Sequence, residues 1–171
     1  MRFVRYSATL VLLLVFSSGC SNWAGSKSPA VVKDSELTQT QRFSLVNSNN
    51  ESVTLEEVLS KNKVVLINFW ATWCTFCVEE MPDLIRLQDK YQARGFTILG
   101  VNEGESAQEV SAFVKEMGLN FPVALDSDGA VARNYGVVGI PISYLINSAG
   151  KVLGEYHGFT SQLTSDVEQA I

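Results

Sequence analysis

Two cysteines three positions apart, Cys74 and Cys77, follow an apolar run and open a stretch with helical periodicity. Two thiols spaced across one helical turn can close a small disulfide ring. The unpaired N–H groups and the dipole at a helix start favour the thiolate of the first sulfur, which makes it a nucleophile toward a disulfide in another molecule. The second thiol, one turn further in, can then attack the mixed disulfide and release the reduced partner. In that chemistry Cys74 attacks and Cys77 resolves. Two other uses of the pair stand beside it. A permanent structural bridge over so short a loop gains little from chain entropy. A tetrahedral metal site needs further ligands, but there is no second cysteine pair and the single histidine, His157, lies on a late strand.

The elements that position the pair follow from the pattern around it. From Arg42 onward, short β-branched and aromatic runs alternate with helical patterns, which points to an α/β domain. Arg42–Val46 reads as an edge strand, and Thr54–Leu59 as a short helix with capping-box spacing between Thr54 and Glu57. The nearly continuous apolar run Lys63–Phe69 predicts a central strand buried on both faces. A helix is expected from Cys74 to about Arg94, interrupted and bent at Pro82 and stopped by Gly95. Phe96–Val101 predicts a strand, and Ser106–Met117 a helix with Val110, Phe113, Val114 and Met117 on its inner face. Phe121–Leu125 reads as strand and Gly129–Tyr135 as a short helix, with Asp126 and Asp128 as turn and cap residues. Ile142–Ile146 and Val152–Phe159 form a strand pair turning at Asn147–Gly150, and Ser161–Ile171 closes the chain as a helix.

The amino-terminal residues carry a different message. Arg2 and Arg5 precede an apolar run, Ala8–Phe16, followed by Ser17-Ser18-Gly19-Cys20. Positive residues, a short apolar segment and small residues before a cut are the parts of an export signal, and the run is short for a bilayer span. The expected organisation is a signal peptide over 1–19, a lipidated Cys20 with a flexible Ser-, Lys- and Gln-containing tether over 20–40, and a folded domain over 41–171. The context of Cys20 resembles a bacterial lipoprotein signal, with Ser17 where such signals usually carry leucine. Loss of Arg2 and Arg5 leaves 11 basic against 18 acidic residues, a net charge of −7. A chain this acidic lacks the basic footprint that a phosphate backbone needs, so nucleic acid is not expected as a partner.

The run Val64–Asn68-Phe69-Trp70-Ala71-Thr72-Trp73-Cys74, then Cys77, Glu80, Met81-Pro82 and Leu84, resembles the TlpA/ResA-like branch of the thioredoxin superfamily. Gly139-Ile140-Pro141 is similar to its cis-proline loop. The resemblance implies a thioredoxin-like fold, with a central mixed sheet flanked by helices and a helix and strand, Ser106–Leu125, inserted before that loop. It implies a thiol:disulfide oxidoreductase with Cys74, Cys77 and Glu80 as catalytic residues, Glu80 handling protons at the thiols. Cytoplasmic thioredoxins carry a buried aspartate where this chain has Asn68, so acid–base duty falls to Glu80. Trp73, Thr75, Phe76, Ile140 and Pro141 would meet the substrate, the Ile140 backbone lying beside Cys74. Phe76 departs from the proline common at its place, which leaves the redox potential open. The implied setting is the bacterial cell envelope, lipid-anchored and extracytoplasmic. Partners would be envelope protein thiols and disulfides, and a membrane electron donor of the DsbD/CcdA type, with tasks such as cytochrome c maturation. No cofactor beyond the redox-active disulfide is expected, and no metal. Direction is not written in the motif. A thiol peroxidase and a copper-delivery module using both thiolates remain alternatives.

Overall fold

The computed structural model describes residues 34–171; the export signal, Cys20 and the tether up to residue 33 lie outside the described residues. In chain order the elements are β1 (Ser44–Val46), β2 (Ser52–Thr54), α1 (Leu55–Lys61), β3 (Val64–Trp70), α2 (Thr75–Tyr91), β4 (Phe96–Glu103), α3 (Ala107–Met117), β5 (Val123–Asp126), α4 (Ala130–Tyr135), β6 (Ile142–Asn147), β7 (Val152–Tyr156) and α5 (Ser161–Ala170). The strands form one seven-stranded sheet in the order β2-β1-β5-β4-β3-β6-β7. β3, β4 and β5 run parallel; on one side β6 lies antiparallel to β3 and β7 antiparallel to β6, and on the other β1 lies antiparallel to β5 and β2 antiparallel to β1. This is the mixed sheet that the sequence predicts, with α3 and β5 forming the inserted pair ahead of β6.

β3 is buried at every position, since it has a strand on each edge and helices over each face. Its side chains alternate between two cores, as the twofold period of a strand requires. Val64, Leu66 and Trp70 pack with Met81, Leu84 and Leu87 of α2, Val110 of α3 and Leu163 of α5. Val65, Ile67 and Phe69 pack on the other face with Leu55 and Leu59 of α1 and Val131 and Tyr135 of α4. Asn68 shares the first face, beneath the start of α2. α3 is held by a complete capping box between Ser106 and Glu109 and ends at Gly118, whose left-handed backbone suits glycine. Its Phe113, Val114 and Met117 are partly buried against the core, on the face expected.

Several local expectations change. α2 starts at Thr75, with Cys74 as its N-cap in an extended conformation. The helix is continuous through Pro82, which is exposed, so the carbonyl it frees at Val78 lies at a solvated surface and no interruption follows. Its last turn tightens to a 3-10 turn over Gln92–Arg94 before Gly95. Thr54 caps α1 by accepting from the Glu57 N–H, but the Glu57 side chain turns to Lys61 instead of closing the box. β2 is an additional three-residue strand, paired with β1 across an asparagine-rich turn. β5 begins at Val123 rather than Phe121, and β7 ends at Tyr156. Residues 34–40, assigned to the tether, are partly packed: Glu36 bridges to Lys151, Leu37 is buried, and a 3-10 turn over Gln39–Gln41 leads into the domain.

Candidate active site

Cys74 and Cys77 form a disulfide with their Cα atoms 5.2 Å apart. β3 delivers the chain to the carboxyl edge of the sheet, and the turn Ala71–Trp73 passes it into α2. As N-cap, Cys74 places its Sγ 3.2 Å from the Cys77 backbone nitrogen, whose N–H points at the sulfur. In the reduced pair that N–H and the positive end of a helix running to Tyr91 both favour a negative sulfur. Cys74 is 7% exposed and Cys77 0%. Both residues are buried, Cys74 the less so, which agrees with the order of attack expected from the spacing.

Around that sulfur the surface is apolar and open. Trp73 is 70% and Phe76 72% exposed, Thr75 is exposed, and Val138 is fully exposed. The Ile140–Pro141 peptide bond is cis, as expected, and the Ile140 carbonyl oxygen lies 3.6 Å from Cys74 Sγ. A cleft of about 580 Å³ runs from Phe76, Glu79, Glu80 and Asp83 to Ile140, Pro141 and Phe159. Of the residues that sequence reasoning picked for substrate contact, Phe76, Ile140 and Pro141 line this cleft, while Trp73 and Thr75 flank Cys74 along the chain and lie outside its lining. Trp70, by contrast, is a core residue. Its indole nitrogen lies 3.0 Å from where a side chain on Gly100 would begin, so a Cβ there would press on the ring. His157 is exposed and pairs with Glu155.

Glu80 is buried on α2, one turn beyond Cys77. Its Oε1 accepts from Asn68 Nδ2 at 2.8 Å, and the same nitrogen donates to Ser143 Oγ at 2.9 Å. Burial pushes the carboxyl up from 4.5 to about 7, against hydrogen bonds from Asn68 and the Phe159 backbone N–H that pull it down; nearby Asp83 adds a further upward push. A carboxyl that changes charge near neutrality is suited to passing protons to and from thiols at ordinary pH.

Two carboxylates on the other side of the motif were not legible in the sequence. Glu105, between β4 and α3, accepts from the Thr72 backbone N–H at 2.7 Å, from the Thr72 hydroxyl, and from Asn102 Nδ2 at 2.6 Å. It thereby clamps the turn that leads into Cys74. Glu103, at the end of β4, is pushed up to about 7 by burial and by the neighbouring Asp126. Asp126 itself accepts from the Val131 and Ala132 N–H groups and Asp128 from Ala130, the cap roles expected of them. Only a spacing of polar residues across 33 positions marks the Glu105 contact, and no local motif carries it.

Residues 37–154 match the model of the AhpC/TSA family. The chain is 36% identical over 153 residues to the thiol-disulfide oxidoreductase ResA of Bacillus subtilis, covering 88% of this chain and 82% of that protein. It is 37% identical over 120 residues to ResA of Bacillus thuringiensis, covering 70% and 68%. Among solved structures, a thiol:disulfide interchange protein of the thioredoxin family from Chlorobium tepidum superposes with a TM-score of 0.68 at 28% identity, covering 82% of this chain and 99% of that one. StoA from Bacillus subtilis does so with a TM-score of 0.61 at 26% identity, covering 72% and 94%. A disulfide pair at the start of this helix, on this sheet, and these likenesses lead to one assignment: the chain belongs to the AhpC/TSA family, as a ResA-like thiol-disulfide oxidoreductase of the thioredoxin superfamily.

Proposed function

We propose that this oxidoreductase works outside the cytoplasm as a reductant of protein disulfides, held to a membrane through Cys20. The observation that carries the reading is the pairing of a helix-capping sulfur, that of the less buried Cys74, with a buried carboxyl, Glu80, whose pKa of about 7 lets it take and return protons at the pair. The thiolate of Cys74 attacks one sulfur of a partner's disulfide, and the partner's other sulfur leaves as a thiolate and takes a proton. Cys77, deprotonated with Glu80 as acceptor, attacks Cys74 and frees the second partner thiol. Two electrons pass to the partner and the Cys74–Cys77 disulfide remains, to be reduced again by a membrane electron donor of the DsbD/CcdA type. No other electron carrier takes part. Trp73, Thr75, Phe76 and the Ile140–Pro141 backbone would seat the partner's chain as an added extended strand beside Cys74.

Maturation of c-type cytochromes fits this reading, since it calls for reduced cysteines on an exported polypeptide. The export signal before Cys20 supports the location, and among the described residues no helix is long and apolar enough to cross a membrane. The test is a Cys77→Ser variant expressed in cells. Without the resolving thiol, partners should accumulate as mixed disulfides on Cys74, and their identity reveals both substrate and direction. A trap that stays empty, while Cys74 remains reactive to a small alkylating reagent, overturns the proposal.

A further inference from the structure

Beneath the cysteine pair, three buried polar side chains from three elements meet at the floor of the cleft. Asn68 on β3, Ser143 on β6 and Glu80 on α2 are all buried, and Asn68 and Ser143 are direct partners across the two strands. The Asn68 amide nitrogen donates to both Glu80 and Ser143, while its oxygen Oδ1 is buried with no hydrogen-bond partner among the described residues. An orphaned buried oxygen is destabilising, and its retention asks for a reason.

We propose that Asn68 is a positioning residue for Glu80, with a side-chain amide that turns over in place to serve both protonation states of that carboxyl. While Glu80 is ionised it can only accept, so the amide must present its nitrogen, as it does here. Once protonated, Glu80 carries an O–H, and the amide rotated by half a turn offers Oδ1 to it. Ser143 follows without moving its oxygen: its hydroxyl accepts from the amide in the first state and donates to it in the second. The two ends of the amide are nearly equal in size, so the exchange asks no room of the packed core. Only the proton on Glu80 changes between the states. In the second state the amide nitrogen takes the place of the unpaired Oδ1, so each state leaves one end of the amide without a partner and neither gains on that count.

The surroundings leave this duty to Asn68. Of the groups in hydrogen-bond contact with the carboxylate, Asn68 and the Phe159 backbone N–H, only Asn68 can also accept. Asp83 faces the carboxyl from its own helix, Cys77 lies one turn before it, and Glu79 and His157 line the same cleft. An aspartate in place of Asn68 would accept only, and would repel the ionised carboxylate. The inference rests on the proposed proton role of Glu80 for its functional meaning, but its own test reads Glu80 directly.

The oxidised protein, labelled with ¹³C at glutamate carboxyls and ¹⁵N at asparagine amides, is titrated by NMR across the neutral range. The Asn68 amide resonances should move with the same midpoint as the Glu80 carboxyl carbon. In Asn68→Leu that midpoint should rise by about one pH unit, because a donor to the charged form is stronger than an acceptor for the neutral form. Asn68→Asp, which decides if the leucine variant does not fold, should titrate in two steps with the upper midpoint above that of the wild type. An Asn68 amide indifferent to pH while Glu80 titrates, or a Glu80 midpoint unmoved in a folded variant, overturns the proposal. Glu80→Gln separates the underlying reading: an unchanged pH profile of thiol reactivity removes the proton role of Glu80, while the titration still judges Asn68.

Discussion

Replacing Glu80 by glutamine should make the oxidised protein more stable at neutral and alkaline pH, by an amount that grows as pH rises from 4.5 to about 7 and then levels off. In the unfolded chain this carboxyl ionises near its ordinary 4.5, and in the folded protein burial holds it protonated up to about 7. Between those values the folded state keeps a proton that the unfolded state has lost. Its contribution to stability is therefore fully present below 4.5, falls as pH rises toward 7, and is gone above. At 1.36 kcal/mol per pH unit, that interval corresponds to about 3 kcal/mol. Glutamine does not ionise, and its amide oxygen can still accept from Asn68. The stability difference between variant and wild type should thus widen by about 3 kcal/mol from acid to mildly alkaline conditions. Glu103 also releases its proton late, but it is present in both proteins and cancels. Urea unfolding of both oxidised proteins across roughly pH 5 to 8 measures the difference. A gap that stays constant with pH would refute the burial argument for Glu80.

Two further substitutions test the surface and the clamp. Phe76→Ala removes an exposed ring from the rim of the sulfur, so stability should stay within about 0.5 kcal/mol while exchange with a protein disulfide slows several-fold and exchange with a small disulfide does not; equal slowing of both would show that the ring acts on the sulfur and not on the partner. Glu105→Ala leaves the Thr72 N–H and the buried Asn102 amide without their acceptor, which should lower stability by about 1–3 kcal/mol, with most of it recovered in Glu105→Gln. An unchanged melting temperature in the alanine variant would show that the turn before Cys74 holds itself.

The central elements were legible because their signals are strong and local. A short, nearly continuous apolar run rich in β-branched residues reads as a strand covered on both faces, which places β3. Two cysteines at its exit, then a helical stripe, place the site. The proline before Ile142 stands where a cis bond brings Ile140 to the sulfur. What stayed hidden depends on distant partners. Ser52–Thr54 has one apolar residue and becomes a strand only because β1 pairs with it. Leu37 reads as part of a polar tether until the core beneath α1 and α4 takes it in. Pro82 looks like an interruption when only backbone bonding is considered, but on an exposed face the lost bond matters little. Asn68 was marked by its departure from the aspartate of other thioredoxins, whereas its pairing with Ser143 appears only when β3 and β6 lie side by side.

The segment before β1 bears on how the molecule carries load. Asp34 donates to the Val152 carbonyl, Val152 donates back to Ser35, and Leu37 donates to Gly150, so the incoming chain is clasped to the start of β7. That clasp lies beside Asn147, which pairs with Val64 at the entry of β3, whereas the cysteines follow its exit at Trp70, about 20 Å away at the rise of a strand. A pull on the chain at Asp34 is therefore taken by hydrogen bonds at the pole opposite the cysteines, and drag on a captured partner crosses the stiff length of the sheet before it reaches that clasp. The clasp also occupies bonding groups on the outermost strand, leaving less of that edge for a second copy to zip against.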